Sequence, residues 1–142
     1  MNAEAHEIVP LSSADDDTPP VESRVERFEA ALADLRAALP DVVGAAVVSA
    51  EGFVLASTLP RDADEELVSA MAATLLGTGA RVAGEVLGGE LTQALVHGRL
   101  GWLVLCAVGR DTVLAALTTP DARIGLVLHE TKRRAAQLSE VV

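Results

Sequence analysis

The chain has 142 residues, half of them hydrophobic, and a formal net charge of −10 from 21 acidic and 11 basic side chains. That length and apolar content suit one domain with a real core. The acidic excess argues against nucleic-acid or anionic-membrane binding, whose contacts depend on Lys and Arg neutralising phosphates.

Residues 1–20 carry five acids and no Lys or Arg, half of the net charge, and end in Pro19 and Pro20. A disordered acidic leader is expected there, with the folded domain over 21–142. The leader has neither a basic n-region nor an apolar h-region, so no signal peptide is expected. The longest near-continuous apolar runs, Val42 to Ala50 and Gly101 to Gly109, are about nine residues each, half of a membrane span. No membrane insertion and a cytoplasmic location are therefore expected.

The folded part opens with Val21, Val25, Phe28, Leu32, Leu35 and Leu39, spaced 4, 3, 4, 3, 4 as on one helix face, and Pro40 stops the helix. Two short apolar runs follow, Val42 to Val48 and Phe53 to Ser57, separated by Ala50-Glu51-Gly52; this pattern predicts a tight antiparallel hairpin. A long helix is then predicted over 62–87, with Asp62 or Asp64 as N-cap, Glu65 and Glu66 in its first turn, and Gly88-Gly89 as its stop.

The long helix has more apolar surface than one small core can cover. Met71, Val82, Leu75, Val68, Val86, Leu76 and Leu87 fan across roughly 160°, against about 100° for an ordinary amphipathic stripe. Beside them runs a second stripe of small residues, Ala70, Ala73, Gly77, Ala80 and Gly84, where another backbone can approach closely. Two burial partners are expected, the second of them protein. Beyond the helix, Leu91 to His97, Trp102 to Val108 and Thr112 to Thr118 read as a three-strand meander, and Pro120 is placed in the first turn of a final helix bearing Ile124, Val127, Leu128, Thr131, Ala135 and Leu138. The order α-β-β-α-β-β-β-α predicts an α+β fold: a three-layer α/β/α sandwich around a five-stranded, mainly antiparallel sheet.

Catalytic constellations are not expected. His6, His97 and His129 lack metal-ligand spacing, and the single Cys106 sits in an apolar run as a small buried hydrophobe. Gly77-Thr78-Gly79-Ala80-Arg81-Val82 imitates a dinucleotide fingerprint but lies inside a helix, so close packing is the better reading. Lys132, Arg133 and Arg134 read as dipole complements in the closing turns of the last helix. Trp102 is weighed between a place in the sheet and an exposed recognition role, with the sheet favoured.

The phrase from Gly44 to Ser57 (Gly-Ala-Ala-Val-Val-Ser-Ala-Glu-Gly-Phe-Val-Leu-Ala-Ser), the long helix, the Trp102 to Val108 strand and the closing Pro120-Asp121-Ala122-Arg123-Ile124-Gly125-Leu126 together resemble Roadblock/dynein light-chain domains, over about residues 21–142. The resemblance implies a profilin-like fold and a homodimer, with the strand after the long helix pairing across the two-fold and the long helices side by side. Val68, Ala72, Leu76, Leu91, Thr92, Ala94 and Val96 would form the dimer contact. Bacterial members of the MglB type act on or with small Ras-like GTPases, which implies a non-enzymatic regulator or adaptor needing no cofactor or metal. Its GTPase would dock on Ala70, Ala73, Gly77, Ala80, Arg81 and Gly84 of the long helix. The alternative is a scaffold or sensory subunit of a signalling complex, for example with a kinase. Which stripe meets the sister subunit and which the GTPase is left open by the sequence.

Overall fold

A computed structural model describes residues 21–142; the expected acidic leader lies outside the described residues. The elements are α1 (Val21–Ala38), β1 (Val42–Ser49), β2 (Val54–Ser57), α2 (Glu65–Val82, continued by a π-helical turn Ala83–Leu87), β3 (Gln93–Gly98), β4 (Gly101–Val108), β5 (Thr112–Thr118) and α3 (Ile124–Leu138). The strands form one five-stranded sheet in the order β2-β1-β5-β4-β3, every neighbouring pair antiparallel. The element order and the α+β sandwich are those predicted.

Side-chain alternation along the strands sorts the core into two layers. On one face Ala45, Val47, Val104, Cys106, Val108, Leu114 and Ala116 meet Phe28, Leu32, Leu35 and Leu39 of the α1 region and Val127, Ala135 and Leu138 of α3. Leu32, Leu35 and Leu39 are fully buried, each contributing about 1.5–3 kcal/mol through burial. On the other face Ala46, Val48, Leu105, Val113 and Ala115 meet Ala72 and Leu76 of α2. Strands β1, β4 and β5 are covered on both sides, so their runs are apolar without alternation.

Three local expectations are corrected. Pro120 does not open α3: Thr119 O accepts from Ala122 N, closing a turn with Pro120 at its second position, a place its fixed φ suits. The helix begins only at Ile124, where Asp41, at the α1–β1 corner, accepts hydrogen bonds from Arg123 N at 2.9 Å and Arg123 Nε at 3.0 Å. Lys132, Arg133 and Arg134 precede the last turn of α3. Arg133 and Arg134 reach Glu130 at 3.5 and 3.6 Å, so they serve intrahelical ion pairs rather than the dipole.

The third concerns length. Together with its π turn, α2 spans 23 residues and is long and apolar enough to cross a membrane by length and composition. The nine-residue runs understate this because Ser, Thr and Gly interrupt its apolar residues. The helix packs one face on the sheet and leaves Leu67, Met71, Val82 and Val86 exposed beside that face.

Candidate docking surface

Helix α2 is fixed at both ends by local chemistry. Asp64 is the N-cap, its Oδ1 accepting from Leu67 N at 3.1 Å, and Ser57 Oγ donates to Glu65 Oε2 at 2.8 Å, tying the first turn to the end of β2. At the far end Gly88 takes the left-handed conformation at φ 82°, and its N–H bonds to Ala83 O.

The face of α2 that meets the sheet is mostly small. Ser69, Ala72, Leu76 and Ala83 are buried, with Leu76 the one large side chain among them. Gly79 turns to Leu91, whose Cδ2 lies 3.2 Å from where a glycine Cβ would stand. Small contacts bring the helix close to the strands and leave the large residues outside: Leu67, Met71 and Val82 are about half exposed, and Val86 and Leu87 are 74% and 77% exposed. Exposed apolar area concentrated on one element marks an interaction surface.

The two flanks of α2 face different ends of the sheet. On the small-residue flank, Ala70 and Ala73 lie against Gly52 of the β1–β2 turn, while Ala80 and Gly84 border a groove shared with Gly109 and Arg110 of the β4–β5 turn. These two turns are neighbours, since Ala50 N donates to Asp111 O at 2.8 Å. The large apolar residues occupy the other flank, toward the end that carries the β3–β4 turn. There the edge strand adds Val96, exposed, and β4 adds Leu103, half-buried, on the same sheet face as α2. Strand β3 is an edge, so its outward N–H and C=O groups have no strand beside them among the described residues.

This arrangement sorts the expected site residues. Of the dimer set, Ala72 at 0% exposure and Leu76 at 7% are buried against the sheet of their own chain. Leu91 and Ala94 are half-buried against the same core. Val68 is half-buried, and Thr92 is exposed with its carbonyl accepting from Ala107 N at 2.9 Å. Val96 lies open on the edge strand. Of the partner set, Ala70, Gly77, Ala80, Arg81 and Gly84 are exposed and Ala73 is half-buried, while a Cβ at Gly77 would meet nothing within 4 Å. Arg81 reaches its own Glu85 at 3.3 Å in an exposed i, i+4 pair. Leu67 escaped the sequence reading, although it stands one turn before Met71 on the same flank.

Little chemistry accompanies these contacts. Among the described residues no group of three or more His, Cys, Asp or Glu could hold a metal ion. Cys106 is buried, and burial pushes its thiol up from the ordinary value, away from reactivity. Gln93 Nε2 reaches Cys106 Sγ at 3.2 Å, Leu128 O at 3.1 Å and Thr131 Oγ1 at 3.4 Å, fastening the edge strand to α3. Trp102 is half-buried and stacks on His97 across β3 and β4, ring centroids 3.7 Å apart.

The elements form a small α/β/α sandwich that leaves an apolar flank of α2 exposed. A family model described as the Roadblock/LC7 domain matches residues 30–118. The chain is 35% identical over 97 residues to the uncharacterized protein MJ1340 of Methanocaldococcus jannaschii, covering 68% of this chain and 84% of that protein. The chain belongs to the Roadblock/LC7 family. A Roadblock/LC7 domain from Streptomyces avermitilis superposes with a TM-score of 0.72 at 19% identity, covering 79% of this chain and 94% of that one. Myxococcus xanthus MglB superposes at 0.75 and 17% identity, covering 82% and 88%. The fold is profilin-like, and solved profilins share it.

Proposed function

We propose that the chain is a homodimeric, non-enzymatic regulator or adaptor of a small Ras-like GTPase. The observation that carries this reading is the separation of two surfaces on α2. The large apolar flank, Leu67, Met71, Val82 and Val86, lies on the same side of the sheet as exposed Val96 of the edge strand β3, and on this reading a second copy covers both by pairing β3 with β3. The small-residue flank, Gly77, Ala80 and Gly84 beside the β1–β2 and β4–β5 turns, then stays free for the GTPase. Membership of the Roadblock/LC7 family and the structural likeness to MglB support the same assignment. On this reading activation works by ordering the GTPase's own groups, which supply much of the transition-state stabilisation.

The test combines light scattering of the free protein, pull-down of the cognate GTPase in each nucleotide state, and GTP turnover with and without this protein. A dimer that binds one nucleotide state in preference and changes turnover supports the reading. A dimer that binds no nucleotide state sinks it and leaves the scaffold role.

A further inference from the structure

Three depressions meet at the β4–β5 turn, on Gly109 and Arg110. One is a cavity between Arg24, Leu55 and Thr112 that takes in Val25, so it lies beside the first turns of α1, where residues 1–20 join the domain. The second, about 340 Å³, runs along α3 with Lys132, Ala136 and Ser139 on one side and Leu91 and Ala107 on the other. The third, also about 340 Å³, continues past Leu91 and Ala107 to Leu76, Ala80 and Gly84 of α2. The last two share a wall and form one groove that ends on the small-residue flank. Lys132 marks its α3 end, Arg110 and Glu90 its middle, and only apolar side chains and glycines its α2 end. Neither cation is in a salt bridge within the described residues. The terminal residue Val142 lines the first cavity and not the groove.

The sequence before α1 offers matching groups in the same order. Counting back from Val21, Asp17, Asp16 and Asp15 come first, and the one apolar run of the segment, Ile8-Val9-Pro10-Leu11, comes next. At about 3.3 Å per extended residue the three acids reach roughly 13–20 Å from Val21, and the apolar run roughly 33–43 Å. The shorter span suits Lys132 and Arg110, and the longer one suits the α2 end. We propose that residues 8–17 dock in this groove of their own chain, with Ile8 and Leu11 on Leu76, Ala80 and Leu91, and Asp15 to Asp17 against Arg110 and Lys132. The apolar contact supplies the attraction and the charges fix the direction of the segment. A tethered segment acts at high effective concentration, so a contact of this size suffices. Once docked it covers Ala80 and Gly84. Any partner of the small-residue flank then has to displace it, whether or not that partner is a GTPase.

The test is made on the full chain without a partner, by nuclear Overhauser contacts from the methyl groups of Ile8 and Leu11. Contacts to Ala80, Leu91 and Ala107 are expected. The double variant Ile8→Asp, Leu11→Asp should abolish them and move the amide signals of Gly84, Leu91 and Ala107 to their undocked positions. The triple variant Asp15→Asn, Asp16→Asn, Asp17→Asn should move the same signals part of the way, lowering the docked-to-free ratio about two- to fivefold, the scale of exposed ion pairs. Both variants leave every core side chain in place, and unchanged core signals verify the fold. The proposal is overturned by any of four results: no contact from Ile8 or Leu11 to this groove; contacts to Met71, Val82 and Val86 instead; contacts found only between differently labelled chains, which make a second copy the source; or an unchanged ratio in the triple variant.

Discussion

Gly101 and Asp41 show how single residues hold this fold in ways their neighbours in sequence do not announce. A Cβ on Gly101 would collide with the carbonyl oxygen of Thr118, a backbone atom that cannot swing aside. Gly101→Ala should therefore destabilise by about 1–3 kcal/mol, the usual cost of overpacking, read as a lower midpoint in urea. Asp41 accepts from the Arg123 side chain and backbone N–H, and those contacts hold its carboxyl below the ordinary aspartate value of 3.8. A pKa depressed on folding means stability that is present above 3.8 and lost as pH falls through the folded-state value. The stability gap between wild type and Asp41→Asn should be widest near neutrality and narrow as pH falls below 3.8; a gap that does not narrow in acid would show that the ion pair is not its source. The partners stand 82 residues apart, so nothing local reveals the pair.

At the scale of elements, α2 decides the functional reading. Its apolar arc was plain from helical spacing, but the sector facing the sheet was not, because hydrophobicity alone favours burying Met71 and Val82. The Asp64 cap and the Ser57–Glu65 bond set where the helix enters, and the sheet then accepts the small sector of Ser69, Ala72 and Ala83 with Leu76. The double variant Met71→Asp, Val82→Asp should yield a folded monomer, with far-ultraviolet dichroism retained and the mass halved in light scattering. Ala72→Asp, by contrast, puts a charge into the core and should unfold the domain. Gly77 behaves in the opposite way: its site is open, so Gly77→Ala should raise stability by about 0.4–1 kcal/mol by removing a helix-interior glycine. A bulky Gly77→Trp should leave the dimer intact while abolishing GTPase pull-down; a simultaneous loss of dimer would mean that the small flank also meets the sister subunit.

For the molecule as a whole, assembly and folding are coupled if the exposed flank of α2 is an interface. A chain that buries Leu67, Met71, Val82, Val86 and Val96 only against a second copy gains stability with concentration. Its thermal midpoint should rise with protein concentration in the wild type and become independent of it in Met71→Asp, Val82→Asp. A concentration-independent midpoint in both would count against the homodimer.

Element order, the α+β class and the surplus of α2 came from the sequence by itself, because periods of 3.6 and 2, proline stops and glycine turns are written locally. Which α2 sector is buried, where α3 begins, how Gln93 ties the edge strand to α3, and the cavity between Arg24, Leu55 and Thr112 were decided only by tertiary structure. Each of these depends on groups that lie far apart along the chain and meet only when the sheet closes, and no local pattern encodes such a meeting.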